Sequence, residues 1–389
     1  MTAMQALTFA TPPADAGAEA LRGEVRRFLA AAMPGRTPLQ RAESWTGSDP
    51  AFSRRMGERG WIGMAWPKRY GGHERSALDR HVVLEEMLAA GAPVGHHWIA
   101  DRQSGPSILR HGTEAQRQHI LPRIAAGECA FCIGMSEPDS GSDLAAARTR
   151  AQQVQGGWLV SGTKVWTSGA HVADYMILFC RTGAKGDDRH GGASQFLVDM
   201  AQARGDGLTV RPILDMRGAH HFNEVLIEDL LLPDDALLGR EGDGWAQVTA
   251  ELAFERSGPD RFLSAFALLV EAVRALGPAA PERAAVAMGR LASHTLALRR
   301  LSRSVAGMLQ AGEDPALQAA LVKDLGNTLE QDTVETVRLL VDAEPSEEDG
   351  SPPLAAVLAH LVMTAPSFSL RGGTREILRG MVARGLGLR

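Results

Sequence analysis

A loop-forming composition occupies the stretch Ile133-Gly134-Met135-Ser136-Glu137-Pro138-Asp139-Ser140-Gly141-Ser142-Asp143. Ser, Gly, Pro and acidic residues dominate it, which predicts a rigid loop with an exposed backbone rather than a helix or a strand interior. Such a loop presents peptide N–H groups, hydroxyls and carboxylates to a ligand that needs several hydrogen bonds at once. The stretch therefore predicts a binding loop.

A second stretch follows about thirty residues later and reads Gly162-Thr163-Lys164-Val165-Trp166-Thr167-Ser168-Gly169-Ala170. On a strand, Trp166 and Ser168 would point to one face, because side chains repeat every second residue. An indole for van der Waals contact and a hydroxyl for a ring nitrogen suit a flat heteroaromatic ring, so the two stretches together predict a flavin site. Two alternatives remain open: a turn in which Ser142 or Asp143 caps a helix, and Trp166 as a core residue.

The two stretches resemble the flavin-binding segments of the acyl-CoA dehydrogenase family, S/T-E-P-x-x-G-S-D and K-x-W-x-S/T. The turn Trp66–Gly72 and the junction Leu232–Trp245 resemble two further segments of that family. The resemblance implies FAD as cofactor, an acyl-CoA thioester as substrate and an electron-transfer flavoprotein as electron acceptor. It implies these cofactor-binding residues: Met135, Ser136, Gly141, Ser142, Trp166 and Ser168, with Thr374 and Glu376 from a C-terminal segment.

The reaction implied by the resemblance removes the α-proton of a thioester, so it requires a carboxylate base and donors for the enolate-like oxygen. Many family members carry that base as the Glu of a C-terminal Y-E-G-T segment, where this chain has Gly372. Some relatives place it instead before an Arg on the first helix of the C-terminal domain. Glu255 and Arg256 match that position, and the apolar residues before Glu255 would raise its pKa. The sequence thus indicates Glu255 as base and Arg256 as a catalytic and substrate-binding residue, with Ser142 also meeting the thioester; the alternative is that Glu255 pairs with Arg261.

Composition narrows the class of protein. The 389 residues are 44% hydrophobic and 22% charged with a net charge of −5, which favours a globular chain and gives no basic footprint for nucleic acid or membrane. The three cysteines are too few for a disulfide framework, and Cys129-x-x-Cys132 lies in an apolar run typical of a buried strand. Residues 1–20 lack the pattern of a signal peptide. We therefore expect a cytoplasmic protein that binds neither metal nor membrane.

The order of patterns predicts an α+β fold. Helical periodicity dominates residues 1–128, short apolar runs such as Asn223–Ile227 separated by Gly/Asp/Asn turns predict an antiparallel sheet or small barrel over residues 129–233, and helices return over residues 234–389. Among these last helices, the spacing predicts one over 282–311, one over 315–342 with a soft break near Gly326, and one over 353–364. This order matches the family's architecture of an N-terminal helical domain, a central β domain and a C-terminal helical bundle.

Two segments of the family are missing: the R-x-x-F-G segment that reaches the neighbouring subunit's FAD, and the Q-x-x-x-G-x-x-G-Y stretch. Their absence resembles the bacterial members that act on bulky or steroid side-chain acyl groups, some of which are α2β2 complexes. The sequence therefore leaves open a homotetramer or an α2β2 heterotetramer with a related chain. Two other functions also stay open, a partner subunit that supplies only half of a flavin site and a flavin oxidase or monooxygenase.

Overall fold

The chain forms two compact units in the computed structural model. The structure describes residues 7–10, 16–183 and 188–388, and for residues 16 and 251–255 it describes the backbone alone. The helical unit comprises Met1–Ser48, Arg75–Gly95 and Ala253–Arg389, and the sheet unit comprises Asp49–Glu74 and His96–Leu252. The predicted domain boundaries at 128 and 233 stay a prediction, since these units combine separate stretches of the chain.

A mixed sheet organises the sheet unit. Its strands are β1 Phe131–Gly134, β2 Arg150–Val154, β3 Gly157–Lys164, β4 Tyr175–Arg181, β5 Ala193–Asp199, β6 Leu208–Leu214, β7 His220–Leu232 and β8 Leu237–Leu238. They are hydrogen-bonded in the order β6-β7-β3-β2-β4-β5-β8, and β1 pairs with β4. The predicted antiparallel pairing holds for most neighbours, but β2 pairs parallel with β4 at Arg150 and Arg181, and β1 and β4 also run parallel, with Phe131 opposite Tyr175. The crossover that a parallel pair needs is the loop and hairpin between them, which carries both binding stretches.

The core of the sheet unit explains why the apolar runs form strands. Every residue of β4 is buried, because both of its faces pack into hydrophobic clusters, with Leu178 in one and Phe179 in another. The strand therefore reads as a continuous apolar run rather than an alternating one. Cys129, Cys132 and Cys180 are all buried and free. The interpretation of the Cys129–Cys132 region as buried and apolar is confirmed.

Helices border the strands on both sides in the sequence, as predicted. Within the described residues, the α-helices before β1 are α1 Ala16–Ala32, α2 Pro38–Ala42, α3 Pro50–Glu58, α4 Ala77–Ala89, α5 Gly95–Ile99, α6 Gly105–His111 and α7 Glu114–Ala125, and α8 Met200–Ala203 follows β5. Those after β8 are α9 Gly244–Glu255, α10 Phe266–Leu276, α11 Glu282–Gln310, α12 Ala316–Leu340, α13 Pro353–Thr364 and α14 Arg375–Gly385. Among the described residues, no helix is long and apolar enough to cross a membrane.

Gly326 shows one difference from the sequence interpretation. The sequence predicted a soft break near it, but α12 runs through it without interruption. A Cβ at Gly326 would lie 2.0 Å from the carbonyl oxygen of Arg261. The glycine therefore allows a close approach between α12 and the 3₁₀ turn Pro259–Arg261, which is a packing role rather than a helix break.

Candidate functional site

The two binding stretches meet at the ends of two strands. Strand β1 ends at Gly134 and β3 ends at Lys164, so the residues that follow both strands leave the sheet close together. The amide of Val165 donates to the carbonyl of Ser136 at 2.9 Å, and the Lys164 ammonium donates to the carbonyl of Met135 at 3.1 Å. The structure thus brings together the segments that contain Met135, Ser136, Trp166 and Ser168.

A buried ion pair fixes this junction. Lys164 Nζ lies 2.8 Å from Glu137 Oε1, and their side chains are 0% and 7% exposed. Glu137 also accepts from the amides of Arg148 at 2.6 Å and Thr149 at 2.9 Å. Burial alone would raise the pKa of Glu137, but the Lys164 ammonium and these hydrogen bonds outweigh it and hold the pKa below its ordinary value. Glu137 is therefore ionised at neutral pH and ties the first loop to the second.

The tip of the first loop leaves its backbone open. Glu137 and Ser140 exchange backbone hydrogen bonds of 2.8 and 3.0 Å, and Ser140 Oγ donates to the carbonyl of Asp143 at 2.8 Å. Gly141 and Ser142 are exposed at the tip, and a Cβ at Gly141 would meet no atom within 4 Å. The open tip agrees with the predicted binding loop.

The predicted capping alternative does not describe this loop. A short 3₁₀ turn, Leu144–Ala146, follows Asp143, but the Asp143 side chain makes no capping hydrogen bond. Its carboxylate pairs instead with the guanidinium of Arg189.

Trp166 lies outside β3, and this corrects two expectations. The strand ends at Lys164, and Trp166 has φ 59°, in the left-handed region that a bulky residue rarely adopts. The derivation of a shared face for Trp166 and Ser168 from strand alternation is therefore wrong, because the chain turns at Trp166. Trp166 is also 60% exposed, so the core alternative is wrong; its ring meets the ring of Phe222 edge to face, with centroids 6.0 Å apart.

The groups left open around this junction fit a flavin. In the described part of the chain, the hydroxyls of Ser136, Ser142 and Ser168 make no hydrogen bond to protein, while the indole of Trp166 is exposed. A strained backbone held by neighbouring hydrogen bonds is typical of ligand contacts. The exposed indole offers van der Waals contact to a flat ring. The three hydroxyls and the open loop backbone offer hydrogen bonds to its polar edges.

The second predicted group lies in the helical unit. Arg256 is buried, and its Nε donates to the carbonyl of Gly372 at 3.1 Å while Nη1 lies 3.0 Å from Met381 Sδ. Lys323 Nζ donates to the carbonyl of Gly373 at 2.7 Å. Gly372 has φ 68° and Gly373 φ 100°, so this segment binds side chains of its unit through its backbone carbonyls.

Thr374 and Glu376 begin α14. Thr374 occupies the N-cap position, and Glu376 is exposed in the first turn. A hydrogen bond from its own backbone amide, and then one from Thr374, lower the pKa of Glu376. Both residues therefore present polar groups at the surface of the helical unit, and their contact with a cofactor stays a prediction.

Glu255, the predicted base, ends α9, and its side chain lies outside the described residues. Its suggested structural partner, Arg261, is fully buried and pairs with Asp260 at 3.0 Å. The roles of Glu255 and Arg256 in chemistry stay predictions.

Comparison with known proteins gives the family. The family model "Acyl-CoA dehydrogenase, N-terminal domain" matches residues 15–128, and "Acyl-CoA dehydrogenase, middle domain" matches residues 132–230. Together they cover more than half of the chain. The chain belongs to the acyl-CoA dehydrogenase family. The predicted fold class is confirmed with it, and so is FAD as the cofactor of the family.

Relatives and solved structures agree. "Acyl-CoA dehydrogenase FadE29" of Mycobacterium tuberculosis is 36% identical over 240 residues, covering 61% of this chain and 60% of that protein. The structure "Tcur3481-Tcur3483 steroid ACAD" has a TM-score of 0.85 at 28% identity, covering 97% of this chain and 98% of that one. The "ChsE4-ChsE5 complex" of Mycobacterium tuberculosis has a TM-score of 0.82 at 29% identity, covering 97% and 99%. The match thus spans about 60% of the length of this curated relative.

Sequence reasoning missed several residues of the site. The sequence pattern assigns no role to Glu137 or Lys164, and it places Asn223 only as the first residue of an apolar strand. Asn223 lies fully buried on β7 and holds Thr167 between Trp166 and Ser168. A buried Asn within an alternating strand is the signal that could have found it, since buried amides require partners.

Proposed function

We propose that this chain catalyses the FAD-dependent α,β-dehydrogenation of acyl-CoA thioesters. One observation carries the proposal: the segment that carries the exposed Trp166 is hydrogen-bonded to the first loop at Ser136, and the hydroxyls of Ser136, Ser142 and Ser168 have no partner among the described residues. The FAD requirement of the family supports the same assignment.

The residues of the sheet unit would hold the flavin. Trp166 would pack on the ring system, Ser168 would donate to a ring nitrogen, and Met135, Ser136 and Gly141 would contact the cofactor from the first loop. Ser142 would contact both the cofactor and the thioester arm. When bound, FAD supplies the acceptor for the hydride that leaves the β-carbon. Thr374 and Glu376 are the proposed contacts from the helical unit.

Glu255 is the proposed base for the α-proton, and Arg256 its neighbour. The conformation at 372 supports this assignment over a base at that position, because Gly372 has a positive φ and its carbonyl accepts from Arg256. Arg256 would fix the end of α9 that carries Glu255, and its charge would favour the carboxylate or meet the coenzyme A tail.

Replacing the base tests the assignment. Glu255→Gln should retain bound flavin and lose turnover by about 10²-fold or more, because proton abstraction contributes about that much. Flavin absorbance reports cofactor binding, and reduction of an artificial electron acceptor by acyl-CoA reports turnover. The exposed Glu282→Gln serves as control. Full activity in the Glu255→Gln protein would remove Glu255 from the role.

A second candidate function is a partner subunit that completes the flavin site of a related chain. The glycine at 372 favours it, because the segment that carries the base in many family members has no carboxylate there. Two similar structures, the Tcur3481-Tcur3483 steroid ACAD and the ChsE4-ChsE5 complex, carry paired names. A colourless protein that binds FAD only when co-expressed with a related chain would support this candidate over a homotetramer.

Substrate, electron acceptor and location are parts of the same proposal. The similar structure named a steroid ACAD supports a bulky or steroid side-chain acyl-CoA, an electron-transfer flavoprotein would receive the electrons, and the chain would act in the cytoplasm. Bleaching of the flavin absorbance by a panel of acyl-CoAs, from short fatty acyl groups to a steroid side chain, tests the substrate class. Oxygen consumption without another acceptor would indicate an oxidase instead.

A further inference from the structure

A buried amide and two histidines surround the backbone of Thr167, the residue between Trp166 and Ser168. The amide of Thr167 donates to the backbone carbonyl of Asn223 at 3.0 Å. The side-chain Nδ2 of Asn223 lies 2.8 Å from the carbonyl of Thr167. Asn223 therefore holds both backbone polar groups of Thr167, and Asn223 is fully buried.

The partners of Asn223 determine its orientation and the protonation of both histidines. The carbonyl of Thr167 can only accept, so the atom that faces it must be Nδ2. The other amide atom, Oδ1, lies 2.7 Å from His220 Nε2, so that ring nitrogen carries a proton. Nδ2 also lies 3.2 Å from His171 Nδ1 and 3.5 Å from the carbonyl of His221, and the nearer His171 Nδ1 can accept the second Nδ2 hydrogen only through a free lone pair. The arrangement requires a neutral His171.

Local geometry explains why Thr167 needs such a holder. Trp166 has φ 59° and Gly169 φ 68°, so the chain turns twice within four residues. The left-handed conformation of Trp166 persists only where neighbouring contacts enforce it. On one side, Val165 donates to Ser136 at 2.9 Å; on the other, Gly169 donates to His221 at 3.0 Å. Between them, Asn223 accepts from the amide of Thr167 through its backbone carbonyl and donates to the carbonyl of Thr167 through its side chain.

We propose that Asn223 is a positioning residue for the flavin-facing segment Trp166–Ser168, and that it acts only while His171 is neutral. Protonating His171 at Nδ1 would place two donors against each other. Asn223 would then lose one hydrogen bond, and its hydrogen bond to the carbonyl of Thr167 would be less well fixed. Protonating His220 leaves its Nε2 donor in place and keeps that contact. The proposal rests on the proposed flavin-dependent function.

The charges around His171 set the pH range of the effect. The His171 ring stacks on His220 with centroids 3.9 Å apart, and His221 lies beside them on β7. Arg204 donates to the carbonyl of Ala170 at 2.7 Å. The negative charge of Asp215 offsets part of the lowering of the His221 pKa that burial causes. Burial, then His220 and Arg204, hold the pKa of His171 below its ordinary value. The neutral form therefore predominates at neutral pH, and in the folded protein it is lost only as pH falls through this lowered pKa, which lies below the ordinary histidine value of about 6.5.

Two variants separate the positioning role from simple loss of structure. Asn223→Asp keeps the Oδ1 acceptor and loses the donor to Thr167, and His171→Asn keeps an acceptor near the Nδ1 position that cannot be protonated. Glu224→Gln is the matched control, since Glu224 is the next residue of β7 and pairs with Arg211 on the surface. The dissociation constant of FAD is measured for all four proteins between pH 5.5 and 8, below their melting temperatures.

We expect Asn223→Asp to weaken FAD binding about tenfold at pH 8, the equivalent of one hydrogen bond. The original protein should lose up to about tenfold between pH 8 and 5.5, while the His171→Asn protein should match it at pH 8 and lose little. Identical pH profiles for the original and His171→Asn proteins would overturn the role of His171, and unchanged affinity in Asn223→Asp would overturn that of Asn223.

A readout without flavin distinguishes the two proposals. Amide hydrogen exchange of the peptide that covers residues 163–170, compared between variants at each pH, reports opening of the segment whether or not FAD binds. If amide exchange is faster in Asn223→Asp but the original protein never binds FAD, Asn223 positions the segment Trp166–Ser168 and the flavin function is rejected. Unchanged amide exchange in Asn223→Asp would reject the positioning role of Asn223.

Discussion

Replacing Lys164 by Met is the sharpest test of how the binding loops are joined. Lys164 is fully buried, and its ammonium donates to Glu137 at 2.8 Å and to the carbonyl of Met135 at 3.1 Å. The substitution leaves the Glu137 carboxylate buried without its cation. Removing one partner of a buried pair costs about 3–5 kcal/mol, because the remaining charge has lost its compensation.

Urea unfolding followed by tryptophan fluorescence measures this free energy. Arg211→Met is the matched control, because it removes one cation of the same unit from a pair at 3.3 Å whose arginine is 59% exposed; that change should cost under about 1 kcal/mol. The double variant Glu137→Gln/Lys164→Met should recover part of the loss, since no charge remains buried.

The outcome decides between a buried pair and a solvated one. If Lys164→Met costs no more than Arg211→Met, the two loops are not joined by a buried charge pair. We also expect the Lys164→Met protein to bind FAD more weakly at temperatures where it remains folded, because Met135 and Ser136 lose their fixed position. Unchanged FAD affinity in a destabilised protein would limit the pair to a role in stability.

Two further predictions concern the helical unit. Burial, and then Arg299 and Arg303, lower the pKa of His81 to about 4. The free energy of unfolding should therefore be unaffected by His81 above about pH 6.5 and should decrease as the pH falls below that value. Urea unfolding at pH 7.5 and pH 5 should show a loss of about 2 kcal/mol at pH 5, and this loss should be absent in His81→Gln. Gly326→Ala should cost about 1–3 kcal/mol, because the added Cβ would lie 2.0 Å from the carbonyl oxygen of Arg261. Gly289→Ala, where the added Cβ meets no atom within 4 Å, should instead stabilise α11 by up to about 1 kcal/mol. Equal effects of the two substitutions on thermal unfolding would contradict this packing.

Periodicity explains why most of the fold could be predicted from the sequence. The helix predicted over 353–364 coincides with α13, and the one predicted over 282–311 differs from α11 by a single residue. Along the first part of α11 the buried residues Ala284, Met288 and Leu291 follow helical spacing, so the apolar period of the sequence indicates a helix. The strand β2 was not predicted, because four of its five residues are exposed or polar at the edge of the core, and alternation over so short a segment gives a weak signal.

The site was predictable in its chemistry and not in its geometry. The residue types of the two stretches indicated a ring-binding surface, and the structure joins those stretches. However, the contacts that shape the surface link residues far apart in the chain, Lys164 with Glu137 and Asn223 with Thr167, which lie 27 and 56 positions apart. A period-two rule also cannot anticipate the positive φ of Trp166, because that conformation depends on the loops around it rather than on local preference.

The glycine at 372 shows how a departure from a family pattern is built into a structure. A missing carboxylate could leave an ordinary gap, but here the backbone has φ 68° at Gly372, and its carbonyl accepts from Arg256. A glutamate at 372 would need that left-handed conformation, which costs a non-glycine residue about 1–2 kcal/mol, or would move the carbonyl that Arg256 binds. The arginine that follows the proposed base is thus held by the residue that replaces the base of other family members. Because both residues lie in the helical unit, the end of α9 and the segment before α14 are tied by this bond. A base at position 255 is therefore consistent with the glycine at 372, since this hydrogen bond holds the residue that follows the proposed base.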